Sequence, residues 1–173
     1  MSGKVNRNNQ KGTSMAEFAV VALVFFMIIF GIIEFGRLLY THNALTDAAR
    51  RGARYAVLHR QVAAVGEPNP VTCVKNVMIY GETNINPATC DPLAGQSPLI
   101  NGLGTTNIVV SYQGLSPFAY GTNVGSATVT IQNYNFNLSI PLLRRTLVMP
   151  AYKTTLTAES AGLIPPNIGA GAP

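Results

Sequence analysis

The sequence predicts an α+β protein, in which one long N-terminal helix is followed by a small antiparallel sheet of about three strands. Two observations support this fold class. An apolar block from Phe18 to Ile33 continues into a helix-forming segment that extends to Arg60. Beyond Gln61 the sequence changes to turn residues and short stretches with a period of two, which is typical of strands with one buried face. We expect the outer half of the helix to pack on this sheet.

Composition divides the chain into four parts. In order, they are a basic leader at residues 1–12, the long helix at 13–60, an α+β domain outside the membrane at 61–163 and a flexible tail at 164–173. The leader is polar and has no apolar periodicity, so we expect it to be disordered. The helix is itself divided into a transmembrane part, about residues 15–37, and a juxtamembrane part, about residues 38–60.

The apolar block is short for a membrane span. Its uncharged run between Glu17 and Glu34 covers about 16 residues, or roughly 24 Å, against a hydrocarbon core of about 30 Å. Apolar flanking residues such as Phe35 and Leu38 extend it, and Tyr40 suits a membrane interface. We therefore expect a spanning helix, with a buried core helix or a cleaved signal peptide as the alternatives. The uninterrupted helical pattern beyond the block argues against a signal peptide.

Small residues recur along the juxtamembrane helix. Ala44, Ala48 and Gly52 are spaced by four residues, and this spacing lets another backbone approach closely. The surface they form is expected to pack either on the protein's own sheet or on the helix of another subunit. Arg50 and Arg51 fit a solvated face with a helical ion pair, and contact with phospholipid headgroups is the alternative.

Several elements are expected in the domain. A short helix is predicted at Val71–Tyr80, and strands are predicted at Asn107–Tyr112, Ser126–Gln132 and Tyr152–Ser160. The stretch Phe136–Ile140 is expected to extend the second strand past a bend. The apolar stretch Pro141–Pro150, bounded by prolines, is expected to be a loop or one helical turn in the core of the domain, with contact to the membrane or to another subunit as the alternatives.

Charge and motifs exclude several functions. The net charge is +5, but the excess of basic residues is confined to the leader and the juxtamembrane helix, so no nucleic-acid partner is expected. The sequence contains no Gly-rich phosphate loop, paired-carboxylate site or nucleophile motif, and His42 and His59 lie far from any cluster of ligands. We therefore expect neither an enzyme nor a cofactor or metal site.

The residues around Gly12 resemble the processing site of type IV prepilins, in which a glycine and four further residues precede a glutamate at the head of an apolar helix. With Phe30–Arg37 and Ala44–Ala56, they make roughly the first 60 residues similar to TadE-like pseudopilins, or minor pilins, of the tight-adherence (Flp) pilus system. This resemblance implies a pilin-like fold and cleavage between Gly12 and Thr13. It also implies that Glu17 assists subunit docking, whereas by position alone Glu17 equally fits an acid that favours the helix dipole.

The resemblance also implies a location and partners, which the basic residues on both sides of the span leave open. The amino terminus would be cytoplasmic and the domain periplasmic, with a single pass through a bacterial inner membrane, and the protein would act in or at the tip of an extracellular pilus. Implied partners are a prepilin peptidase, other pilins and pseudopilins (TadF-like proteins and the Flp major pilin), the inner-membrane assembly platform and the lipid bilayer. The implied function is initiation, capping or scaffolding of a Flp pilus for surface adherence. The alternative is a membrane-anchored periplasmic binding or adhesion module that does not enter a pilus.

The two cysteines, Cys73 and Cys90, both lie in the part of the chain that this topology places outside the cytoplasm. Two cysteines in an oxidising compartment most often pair. A bond between them would close a loop of about 18 residues and contribute roughly 3 kcal/mol. Two free thiols are the alternative, and a metal site would need further ligands.

Overall fold

The computed structural model of the chain describes residues 10–59, 66–113, 125–140 and 143–157. Its longest element is helix α1, Gln10–Leu58, which has 49 residues. The helix begins three residues before the predicted start at Thr13, because Gln10 and Lys11 are good helix formers that continue it without a stop signal. The prediction of disorder is thus wrong for the end of the leader. The remainder of the leader, Arg60 and the tail lie outside the described residues.

Helix α2, Pro70–Tyr80, forms where the sequence predicts a short helix. Its start is set by Asn69, whose side chain accepts a hydrogen bond from the amide of Val71, and by Pro70 at the first helical position. Its end is set by Gly81, which has a φ of 89° that favours glycine and donates its amide to the carbonyl of Val77.

Three strands form an antiparallel sheet in the order β1-β2-β5, as the predicted fold class requires. They are β1 (Ile108–Gln113), β2 (Ser126–Ile131) and β5 (Tyr152–Thr157). On the central strand the alternation is complete: Ala127, Val129 and Ile131 are fully buried, while the residues between them are partly exposed. One face of the sheet therefore packs on the core and the other faces solvent.

A second sheet of two strands corrects the prediction for the region after β2. Strand β3 (Asn135–Ile140) is not an extension of β2, because it pairs antiparallel with β4 (Leu143–Val148) as a separate hairpin. The stretch Pro141–Pro150 was expected to be a loop or helical turn in the core; this is wrong for Leu143–Val148, which is a strand, whereas Met149 after it is buried in the core. In this strand Leu147 and Val148 are exposed, and Pro150 lies beyond the end of the strand, where it removes no ladder hydrogen bond.

The core lies between the outer half of α1, helix α2 and the inner face of the three-stranded sheet. Its helix residues are small or aliphatic, so the backbone of α1 comes close to its neighbours. The fully buried members from α1 are Leu45, Ala48, Ala53, Ala56 and Val57. They meet Met78 of α2 and Ile108 and Ile131 of the sheet. The expected packing of the outer helix on the sheet is confirmed.

Candidate functional site

The large apolar side chains of the inner half of α1 are mostly exposed. Within residues 12–58 the helix contains a stretch long and apolar enough to span a membrane, and only 6% of its most apolar window is buried. A core helix of a soluble protein would be mostly buried, so this alternative is wrong for the inner half. Glu17 lies exposed at the start of this surface, and its carboxylate forms no ion pair with a described residue.

At the other end of the apolar surface, Glu34 is buried to 7% exposure, although it lies among exposed apolar neighbours on α1. Its Oε1 accepts a hydrogen bond of 2.8 Å from the backbone amide of Ser139 in β3. The same oxygen forms an ion pair of 2.7 Å with Nη2 of Arg37, one turn further along the helix. A buried carboxylate is costly unless it is paired, and this one has two partners.

Arg37 completes the contact between α1 and β3. Its Nη2 also donates to the backbone carbonyl of Asn137, and its guanidinium lies over the ring of Phe136, 4.7 Å from the centroid. Side chains of α1 thus bond one carbonyl and one amide on the same edge of β3, as a neighbouring strand would. We name the group Glu34, Arg37, Asn137 and Ser139 the strand clamp.

The strand clamp lies at a defined distance from the start of the apolar surface. From Glu17 to Arg37 the helix rises about 30 Å, which equals the thickness of a bilayer's hydrocarbon core. If the span starts at Glu17, Arg37 is at the opposite edge of the hydrocarbon and Glu34 is just inside it. Acidic groups at such depth face protein and are paired, which is the environment that the clamp gives Glu34.

The strand clamp was not predicted from the sequence, where Glu34 marks the end of the uncharged run and belongs to the segment Phe30–Arg37 that carries the family resemblance. One signal was present: an acid within an apolar helix, followed three residues later by an arginine, implies a buried pair. The partner atoms on β3 carry no signal, because they belong to the backbone of Asn137 and Ser139.

The small residues of the juxtamembrane helix lie in the protein's own domain. Ala48 and Gly52 are buried and Ala44 is half-buried. A Cβ placed on Gly52 would lie 2.4 Å from both Cγ and Sδ of Met78. This close approach explains the need for glycine, and Gly52 faces α2 of the same domain and not a neighbouring subunit.

The exposed arginines of the outer helix are far from the expected membrane edge. Arg50 pairs with Asp47 at 3.9 Å, and both side chains are exposed, so the contribution of this pair is small. Arg50 lies about 20 Å along the axis from Arg37, beyond the screening length of about 8 Å at physiological salt. A solvated face therefore describes Arg50 better than contact with headgroups.

A disulfide joins Cys73 in α2 to Cys90, as predicted, with a Cα–Cα distance of 4.9 Å. Cys90 has a positive φ of 61°, which is unusual for a residue other than glycine. Its carbonyl accepts a hydrogen bond of 2.8 Å from the buried side chain of Asn76, and its amide donates to the carbonyl of Asn86. These bonds fix the loop that covers α2. In the described part of the chain, no group of three or more His, Cys, Asp or Glu is placed to hold a metal ion.

Comparison with known proteins gives one match. The family model described as TadE-like protein matches residues 12–54, all of which lie in α1. Neither a search of curated proteins nor a search of solved structures finds a match to the chain. The matched residues include Glu17, Glu34 and Arg37, so the similarity to the TadE-like family covers the exposed apolar surface and the helix side of the strand clamp.

Proposed function

We propose that this protein is a minor pilin or pseudopilin that takes part in the assembly of a Flp (Tad) pilus, by initiating, capping or scaffolding it. The observation that carries the proposal is the division of α1 into an exposed apolar half and a packed outer half, within the segment that matches the TadE-like family. A helix of this kind serves first as a membrane anchor and then as a surface for packing against other pilin helices. The role is structural, without catalysis or a cofactor.

The proposed location is a bacterial inner membrane, crossed once, with the amino terminus in the cytoplasm and the domain in the periplasm. The disulfide between Cys73 and Cys90 supports a domain outside the cytoplasm, because such bonds persist in oxidising compartments. The proposed partners are a prepilin peptidase, Flp and TadF-like pilins and the assembly platform. Glu17 is proposed to bind the amino terminus that cleavage after Gly12 creates on a neighbouring subunit.

The test begins with the intact mass of the protein purified from its native membranes. We expect a chain that starts at Thr13. A chain that retains the leader would contradict processing by a prepilin peptidase and favour a simple membrane-anchored module.

The second test is piliation with the variants Glu17→Ala and Glu17→Asp. We expect Glu17→Ala to be expressed and cleaved but to abolish pili, because it removes the carboxylate that binds a neighbour's amino group. Glu17→Asp retains the charge and should restore part of the piliation. Normal pili in cells with Glu17→Ala would refute the docking role of Glu17. Failure of the natural protein to co-purify with other pilins would refute its role in assembly.

A further inference from the structure

No described part of the chain covers β4, the outer strand of the β3–β4 hairpin. On β4, Leu147 is 43% exposed and Val148 is 66% exposed. Arg145, on the same strand, is also exposed. The inner strand β3 is held on α1 by the strand clamp, so the position of the hairpin is fixed, although no described residue packs on its outer side.

The hairpin points toward the apolar half of α1. Along β3, Asn137 meets Arg37 and then Ser139 meets Glu34, so this strand runs antiparallel to the helix and toward its inner half. Ile140 pairs with Leu143 one strand residue further on. That step is about 3.3 Å, or roughly two residues of helix. The backbone of the hairpin therefore extends past the level of Glu34.

The hairpin is also basic. Residues 135–148 contain Arg144 and Arg145 but neither aspartate nor glutamate. Arg145 is opposite Leu138 in the hairpin, one residue from the level of Ser139. This places a cation at the height where the hydrocarbon ends if α1 spans from Glu17. The phosphates of anionic lipids lie roughly 5 Å beyond this height, which an extended arginine side chain can reach, and each nearby arginine contributes about 1 kcal/mol to binding them.

We propose that the β3–β4 hairpin is a membrane-contact surface, with Leu147 in the interface of the bilayer that holds α1 and with Arg145 at the phosphates of anionic phospholipids. The inference rests on the proposed membrane anchoring by α1. Two features favour lipid over a second protein. The exposed apolar residues of the hairpin lie beside the outer end of the apolar half of α1, where the strand clamp holds β3. Residues 135–148 contain arginines and no acidic residue, which suits an anionic surface.

The absence of tryptophan from the chain allows a direct test. Single-tryptophan variants of the full chain are reconstituted in vesicles of phosphatidylcholine and phosphatidylglycerol, whose acyl chains carry bromine near the headgroup. Leu147→Trp reports on the hairpin. Val109→Trp, at a strand residue that is 44% exposed on the other sheet, is the matched control. Ile33→Trp reports on α1 itself.

We expect Ile33→Trp and Leu147→Trp to lose most of their emission to bromine and Val109→Trp to lose little. Quenching of Ile33→Trp without quenching of Leu147→Trp would overturn the hairpin inference and leave the anchoring by α1 intact. An unquenched Ile33→Trp would overturn the anchoring itself. A blue-shifted Leu147→Trp that bromine does not quench would indicate contact with protein and would also overturn the inference.

Two further variants keep the test decisive. Formation of the Cys73–Cys90 disulfide shows that a variant has folded. If Leu147→Trp does not form it, Val148→Trp, on the opposite face of β4, takes its place, and bromine is expected to quench its emission as strongly. Arg145→Gln should reduce quenching at residue 147 when phosphatidylglycerol is present but not in phosphatidylcholine alone, and Arg145→Lys should restore it. The two arginine changes are made in the Leu147→Trp variant. If that variant shows the same quenching with Arg145, Gln or Lys at position 145, both with and without phosphatidylglycerol, the role of Arg145 is overturned.

Discussion

Removal of the Glu34 carboxylate should open the β3–β4 hairpin locally. In Glu34→Ala the amide of Ser139 loses its acceptor, and a hydrogen bond to a charged group contributes about 1.5–3 kcal/mol. The ion pair with Arg37 adds less than about 1 kcal/mol, because the Arg37 side chain is 48% exposed and partly screened by solvent. We therefore expect the free energy of opening at β3 to fall by about 2 kcal/mol.

Amide hydrogen exchange at Ser139, measured on the full chain in micelles, reads this opening directly. Each 1.4 kcal/mol is tenfold in an equilibrium, so exchange should accelerate about 10- to 100-fold. Asp47→Ala is the matched control, since Asp47 and Arg50 have the same spacing on the same helix but are both exposed. This control should leave exchange at Ser139 unchanged.

The reasoning would be refuted if Glu34→Ala and Asp47→Ala gave the same exchange rate at Ser139. Glu34→Gln separates the two components of the contact. It retains an oxygen acceptor for Ser139 but removes the charge that pairs with Arg37, so its rate should lie between those of the parent and Glu34→Ala. A rate as fast as that of Glu34→Ala would assign the whole effect to charge.

Three further predictions concern the domain. Gly52→Ala should lower the free energy of unfolding by roughly 1 kcal/mol, because crowding of buried Met78 costs about 1–3 kcal/mol and better helix propensity returns about 1 kcal/mol. Gly36→Ala is the control, since a Cβ at Gly36 meets no atom within 4 Å. Equal melting temperatures of the two variants would contradict this prediction. Cys73→Ser should cost about 3 kcal/mol and make melting insensitive to reductant, whereas an unchanged melting temperature would contradict the account of the disulfide. Burial raises the pKa of Tyr112 to about 12, so its neutral form is favoured in the folded state and stability should fall between about pH 10 and 12 as the unfolded chain loses that proton. Alkaline ultraviolet titration should show this tyrosine among the last to ionise. Tyr112→Phe should make the fall smaller without abolishing it, because burial also raises the pKa of Tyr55, Tyr134 and Tyr152, and an unchanged fall would contradict this account.

Local sequence patterns were sufficient to predict the elements whose burial is periodic. The strand predicted at Ser126–Gln132 is β2, because Ala127 and its alternate neighbours all face the core. The helix predicted at Val71–Tyr80 is confirmed within one residue, since Asn69 and Pro70 form a recognisable start. The strand predicted at Tyr152–Ser160 is confirmed to Thr157, and its last residues lie outside the described part of the chain.

The β3–β4 hairpin and the strand clamp could not be predicted from local sequence patterns. The stretch Pro141–Pro150, which contains β4, was expected in the core because it is apolar, and composition alone does not tell a buried strand from an exposed one. The partners of Glu34 and Arg37 include backbone atoms about 100 residues away, as the separation between Arg37 and Asn137 shows. Contacts of this kind depend on tertiary docking and leave no periodic trace in the sequence.

The continuity of α1 determines how the domain can face its neighbours. Residues 10–58 contain no proline, and this one helix carries both the apolar half and the residues that hold the core and β3. The domain therefore has a fixed azimuth about the helix axis. Inserting one residue between Glu17 and Glu34 would turn the hairpin by about 100° relative to Glu17. If such helices pack in a bundle, the face of the inner half that contacts a neighbouring helix therefore determines which side of the domain faces the neighbouring domain.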